Sequence, residues 1–252
     1  MDVRNRRRAL LDAFGTDGEV LVRSLAIELG CSEMTIRRDL DALAREGVVR
    51  RTHGGAVRVN LRRDEEPYAV RALSGVEVKQ RIGQAAAGLI MDGETVVLDS
   101  GTTALEIARA LRGRPVTVLP LGLRALMELA DDEVVRLIAL GGEVRPGEMV
   151  VTGDLAQRVF DDLRFDTFLL GCCGIGAGEG VTTHVPGDAS VKRGAVRSSR
   201  RTIAVADGSK LGRVAFVRVC GTGELDRLIT DTDADPEQVA SLEEAGLSVF
   251  CV

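Results

Sequence analysis

From residue 95 onward, short β-branched and aliphatic runs alternate with stretches of helical periodicity, and this alternation restricts the chain more than any other feature. Thr95–Leu98, Val116–Leu119, Leu137–Leu140, Thr167–Leu170, Thr202–Val205, Leu228–Thr230 and Leu247–Cys251 read as strands. Helices are expected at about 103–111, 123–130, 154–160, 188–200 and 236–245, with another over 77–91 before the first strand. Strands separated by helices need crossover connections, which are right-handed and give a mostly parallel sheet. Ligands of such sheets bind beyond the carboxyl ends of the strands.

Three places near those ends carry chemistry. Asp99-Ser100-Gly101-Thr102-Thr103 closes one strand and opens a helix. Its glycine allows close backbone approach, its hydroxyls donate, and a helix N-terminus favours an anion. Asp207-Gly208-Ser209-Lys210 follows a later strand, and Lys210 can serve as a point charge for phosphate. The chain has three lysines against 30 arginines, so a lysine here stands out. Lys192, four residues after Asp188, reads either as a pocket residue or as half of an ordinary i,i+4 ion pair.

The first 60 residues follow another pattern. Arg6, Leu10 and Phe14 give a helix with an apolar stripe and a basic edge, stopped by Gly15-Thr16-Asp17-Gly18. A second helix runs over 22–29 and ends at Gly30. Ser32 caps a third, 33–46, whose Ile36, Leu40 and Leu43 face inward while Thr35, Arg37, Arg38 and Arg45 face out. Gly47 ends it. Val48–Arg51, the turn at 52–55 and Ala56–Val59 then form a hairpin. Two helices joined through glycine, the second one basic outside, match the motif that enters a major groove, and the hairpin would be its wing. On chemistry alone Arg37 and Arg38 also read as solvated charges, and His53 as a turn residue without contacts.

Composition supports two modules. Residues 1–63 carry 13 Arg against 9 acidic residues, a net of +4, and the remainder carries 20 Lys+Arg against 29 acidic, a net of −9. A basic head on an acidic body fits nucleic-acid binding by the head. At 252 residues, 45% apolar and 28% charged, the chain can bury a sizeable core. Aromatics are 3% with no Trp, which excludes an aromatic nucleic-acid stacking surface. No apolar run approaches the ~18 residues of a membrane span, and the start leads into an amphipathic stretch rather than a secretory core, so a cytoplasmic protein is expected. Cys31, Cys172, Cys173, Cys220 and Cys251 have no metal-ligand spacing, and with two histidines neither a metal site nor a cofactor is expected.

Ser32-Glu33-Met34-Thr35-Ile36-Arg37-Arg38-Asp39-Leu40, followed at a fixed interval by Arg51-Thr52-His53-Gly54-Gly55-Ala56, resembles the DNA-binding signature of DeoR-type (DeoR/GlpR) bacterial transcriptional regulators. The resemblance implies that Ser32, Thr35, Ile36, Arg37 and Arg38 lie at the groove, with Arg50, Arg51 and His53 near the DNA backbone and Asp39 orienting an arginine. Glu66-Pro67-Tyr68 and Arg71 resemble the family's linker, which places a winged helix-turn-helix at 1–59, a linker at 60–76 and an α/β effector domain at 77–252. That last part resembles the family's sensing domain, itself similar to sugar-phosphate isomerases. The likeness carries over Asp99, Ser100, Gly101, Thr102 and Thr103 as a phosphosugar loop, Lys192 as a pocket lysine, and Asp207, Ser209 and Lys210 as a second anchoring turn.

Three positions depart from the family pattern. Pro120-Leu121-Gly122 stands where Thr-Asn-Ser is usual, Gly171-Cys172-Cys173-Gly174 where Gly-Ala-Asp-Gly is usual, and Asp188 where a Glu is usual. The expectation is a homo-oligomeric, non-enzymatic regulator that binds double-stranded operator DNA. It would repress a carbohydrate operon until a phosphorylated sugar binds. The alternatives are a non-phosphosugar or thiol signal through Cys172-Cys173, and a DNA-tethered isomerase-like enzyme.

Overall fold

The structure is a computed structural model that describes residues 3–14, 18–45, 48–58 and 66–252. The turn expected at 15–17, Glu46, the helix stop at Gly47, Val59 and the charged stretch 62–65 lie outside the described residues. The chain divides into two compact units, 1–75 and 76–252.

The first unit holds α1 (Val3–Ala13), β1 (Glu19–Leu21), α2 (Val22–Glu28), α3 (Glu33–Arg45), β2 (Val49–Arg51), β3 (Gly55–Arg58) and α4 (Tyr68–Arg71). Leu10 and Phe14 of α1, Leu25 of α2, and Ile36, Leu40 and Leu43 of α3 meet in one core with Val49 and Ala56 of the hairpin. Each helix thus buries the stripe its period supplies. Helix α2 ends in a Schellman motif, with Cys31 N–H donating to Ala26 O (3.0 Å) and Gly30 N–H to Ile27 O (3.3 Å). Gly30 sits at φ +60°, the left-handed conformation that this motif requires. The wing is a three-stranded sheet in the order β1-β3-β2, not a plain hairpin. A Cβ on Gly55 would lie 1.8 Å from Val20 O, so glycine is what admits β1. Within the stretch expected to be linker, α4 packs Ala69 and Val70 against this same core.

In the second unit α5 (Val76–Gly88) precedes β4 (Thr95–Leu98), α6 (Thr102–Leu111), β5 (Thr117–Pro120), α7 (Leu123–Leu129) and β6 (Arg136–Leu137). A hairpin, β7 (Glu143–Arg145) and β8 (Val150–Thr152), leads to α8 (Asp154–Asp162) and β9 (Phe165–Gly171). There follow β10 (Gly174–Gly176), β11 (Gly180–Thr183), α9 (Pro186–Ser198), β12 (Ser199–Val205), β13 (Val217–Cys220), β14 (Arg227–Thr230), α10 (Pro236–Glu244) and β15 (Val249–Cys251). Seven strands form one sheet in the order β15-β14-β12-β9-β4-β5-β6, every pairing parallel. Alternate residues feed opposite faces. Val96 and Leu98 pack with Ile82 of α5, Ile107 of α6 and Leu129 of α7, whereas Val97 packs with Phe160 of α8 and Val191 of α9.

Two antiparallel sheets, β7-β8 and β10-β11-β13, are absent from the sequence expectation. The strand expected at 137–140 is shorter and sits at the sheet edge as Arg136–Leu137. The helix expected at 188–200 starts two residues earlier, with Pro186 in its first turn where a missing N–H costs nothing. No described helix is long and apolar enough to cross a membrane.

The strand order fixes where a ligand can sit. The chain builds outward from β4 to β5 and β6, then returns to the other side of β4 and builds outward from β9. The order therefore reverses between β4 and β9, and the carboxyl ends of these two strands frame the crevice.

Candidate functional site

In the first unit, α3 presents its polar side. Ser32 Oγ accepts from Thr35 N–H (3.2 Å) and lies 2.9 Å from Thr35 Oγ1, so it caps the helix as expected. Asp39 takes Arg6 as its arginine, Nε to Oδ2 at 2.6 Å, which ties α1 to α3. Arg37 pairs with Glu33 one turn back at 3.4 Å. Arg38 and Arg50 are exposed, and among the described residues Arg38 makes no ion pair. His53 is exposed in the wing turn, which Thr52 N–H closes onto Gly55 O at 3.1 Å.

Two residues expected at the DNA are engaged within the head. Ile36 is fully buried, so it packs the head and cannot reach a groove. Arg51 bonds Asp41 of α3 (2.9 Å) and Gly55 O (2.9 Å), fastening the wing to the helix beside it. Arg38→Ala is expected to weaken operator binding by ~1–3 kcal/mol with little change in stability, as read by DNA titration at fixed salt.

In the second unit, the strand-end residues converge at the β4/β9 reversal. Asp99 is fully buried just beyond β4. Its Oδ1 accepts from Ser100 N–H at 2.7 Å and its Oδ2 from Gly171 N–H at 2.8 Å. Lys192 of α9 reaches across to Asp99 Oδ2 at 2.7 Å and donates to Gly171 O at 3.0 Å. Burial alone would lower the Lys192 pKa, but the charge of Asp99 overrides it and the ammonium is held above the ordinary lysine range. The reading of Lys192 as the i,i+4 partner of Asp188 is therefore corrected: its ion pair runs between elements, from helix to strand end.

Asp188 pairs instead with Arg145 of the β7-β8 hairpin, at 2.7 Å. Its other oxygen, Oδ1, is buried and accepts no hydrogen bond. Burial pushes this carboxyl up from the ordinary aspartate range, partly offset by Arg145 and Lys192. Arg145 was missed by sequence reasoning because it lies in a three-residue strand after Gly141-Gly142, a run that reads as loop.

Helix α6 begins at Gly101 (φ +100°), with no side chain capping it. Thr102 is buried there, while Ser100 and Thr103 are half-buried. Gly122 stands so near that a Cβ on it would lie 3.1 Å from Ser100 Cα and Cβ. Beyond β12, Asp207 Oδ1 accepts from Ser209 N–H (3.1 Å) and from its hydroxyl, shaping the turn that carries Lys210. Among the described residues Lys210 makes no ion pair.

The two adjacent cysteines differ. Burial pushes the Cys172 thiol far up. The same penalty acts on Cys173, but a hydrogen bond with His184, the charge of Lys192 and a 3.7 Å contact with Thr183 Oγ1 hold its thiol below the ordinary range. Iodoacetamide at pH 6.5 should therefore alkylate Cys173 before Cys172, since the thiolate is the nucleophile. Mass spectrometry of the peptide that carries both sites checks this, and labelling of Cys172 as fast as Cys173 would refute it.

A family model described as the DeoR C terminal sensor domain matches residues 74–232, and one described as the DeoR-like helix-turn-helix domain matches residues 6–62. Full-length similarity accompanies these matches. The HTH-type transcriptional regulator GlpR of Haloferax volcanii is 32% identical, covering 97% of this chain and 96% of its own. The HTH-type transcriptional repressor GlcR of Bacillus subtilis is 31% identical over 88% and 86%. The lactose phosphotransferase system repressor of Lactococcus lactis is 28% identical over 97% of each.

Proposed function

The chain belongs to the DeoR family of transcriptional regulators, and we propose from that premise that it represses a carbohydrate operon and lets go of its operator when a phosphorylated sugar binds the second unit. The carrying observation is the convergence of three features at the β4/β9 reversal. These are the uncapped N-terminus of α6, the buried Lys192, and Lys210, whose charge reaches Cys172 just beyond β9 and which makes no ion pair among the described residues. A phosphate offered to that crevice meets unpaired backbone N–H groups and the Lys210 cation. The relatives support the carbohydrate reading, since one is a repressor of a lactose phosphotransferase system. We take the protein to act in the cytoplasm as a homo-oligomer, because paired heads match paired half-sites ~34–36 Å apart or multiples of that. Binding then shifts the population toward an arrangement whose heads no longer fit adjacent half-sites.

Receptor chemistry is favoured over turnover. Both Asp99 oxygens are engaged by backbone N–H groups or Lys192, so this carboxylate is not positioned to take a substrate proton. The replaced positions shape the ligand: Leu121 and Gly122 supply no side-chain donor, and Cys173 supplies a thiol in place of a carboxylate. A thiol signal is the second reading, favoured by the hydrogen-bonded, depressed Cys173.

Thermal unfolding against a panel of sugar phosphates, their parent sugars and inorganic phosphate tests the first reading. A ligand at 100 times its Kd adds ~2.7 kcal/mol, which is several degrees at ~2–4 °C per kcal/mol. One sugar phosphate should shift the transition while its parent does not, and Lys210→Ala should lose the shift while still binding DNA. Equal shifts with phosphate-free sugars, or a full shift in Lys210→Ala, would remove the phosphate role.

A further inference from the structure

The burial pattern of α3 defines its outward stripe more narrowly than the sequence motif does. Ile36, Asp39, Leu40 and Leu43 are the buried positions. At 3.6 residues per turn, the line opposite them runs through Met34, Arg38, Asp41 and Arg45. The last two are engaged locally. Asp41 holds Arg51 of the wing, and Arg45 Nε donates to the Asp41 carbonyl at 3.4 Å. Thr35 lies to one side, bonded to Ser32. The N-terminal half of the stripe is therefore Met34 and Arg38, with Met34 60% exposed.

In helix-turn-helix proteins, the N-terminal residues of the second helix meet the base edges. A thioether side chain offers almost nothing to a base donor or acceptor. The one apolar group on a major-groove edge is the 5-methyl of thymine. Single exposed apolar side chains are ordinary on a protein surface. This one, however, stands at the centre of the helix face that enters the groove, at the end that approaches the bases, and its flexible chain can adapt to a methyl group.

We infer that Met34 is a base-reading residue, seating its side chain on the methyl of a thymine in each half-site beside the base that Arg38 contacts. Arginine at 38 reads its base by hydrogen bonds, and methionine at 34 adds selection at the neighbouring position by apolar contact.

The probe is a duplex selected by the wild-type protein from a random-sequence pool. It is remade with each thymine of the half-site replaced in turn by deoxyuridine, which deletes only the methyl. Affinities of the full-length wild-type, Met34→Ala and Met34→Leu proteins are measured on each duplex at fixed salt. At one thymine per half-site, methyl deletion should weaken the wild type about fivefold or more. The same deletion should leave Met34→Ala unchanged. On the thymine duplex Met34→Ala should already be weaker by a similar factor, and Met34→Leu should recover most of the loss. All three proteins should unfold at the same temperature, because the side chain lies outside the core. The inference is overturned if Met34→Ala binds the selected duplex as well as wild type does. It is equally overturned if no methyl deletion affects the wild type, or if every deletion weakens both proteins alike. Those results would leave the exposed methionine as plain surface or as a contact for another protein.

Discussion

Replacing Asp99 by alanine is expected to destabilise the second unit by about 3–5 kcal/mol, the cost of leaving one member of a buried ion pair alone. Lys192 would keep its charge with only Gly171 O as a partner, and the N–H groups of Ser100 and Gly171 would lose their acceptor. Urea unfolding of the full-length protein reads the effect as a lower midpoint for the second unit. Lys192→Met should cost less, because Asp99 would retain both N–H donors and the methionine would refill the space. The folded-state pKa of Lys192 is raised, so its contribution is complete below the unfolded lysine value of ~10.4 and is lost only as pH rises through the higher folded value. The gap between wild type and Lys192→Met should therefore stay level from pH 7 to 9 and narrow only at more alkaline pH. A loss under about 1 kcal/mol for Asp99→Ala would place the pair among solvated ion pairs instead.

Ile36→Ala is expected to cost the first unit about 2–5 kcal/mol, the usual range for emptying a buried aliphatic site. A core of this size rarely supplies more than ~3–5 kcal/mol in total. The variant should thus lose operator binding because the head no longer holds its fold. Differential scanning calorimetry should show the transition of the head lowered or gone while that of the second unit is unchanged. A base-contacting role would instead reduce affinity and leave both transitions in place, as expected for Arg38→Ala. Chilling separates the two further, since a head refolded at low temperature would regain affinity only in the packing case.

The parallel sheet was legible because its strands are buried on both faces and read as continuous apolar runs, such as Val96-Val97-Leu98. The three helices of the head were legible because Leu10, Phe14, Ile36, Leu40 and Leu43 recur at helical spacing. What the sequence concealed has physical reasons. Strand β1 has three residues and exists because it pairs with β3, 38 positions later by the partner residues Glu19 and Val57. The glycine-rich β10 and the three-residue β7 show no alternation long enough to register. Ile36 lies inside a motif that reads as a DNA-contacting block, and a motif does not record which of its members face inward. Lys192 and Asp188 are correctly spaced for each other on one helix face, yet each found a closer partner in space, in Asp99 and Arg145. Spacing along one helix carries no information about carboxylates arriving from another strand.

The position of β9 between β4 and β12 also sets an order of events during synthesis. Asp99 and Gly171, whose contact closes the centre of the sheet, lie 72 residues apart in the chain. At ~5–20 residues per second, translation leaves the open edge of β4 unpaired for roughly 4–15 s after that strand emerges. The head, a compact unit within the first 75 residues, has already been made by then. An unpaired apolar strand edge is a template for pairing with another chain. Each newly made molecule therefore passes through an interval in which a DNA-binding head exists without a finished sensor domain, and no effector can yet instruct it.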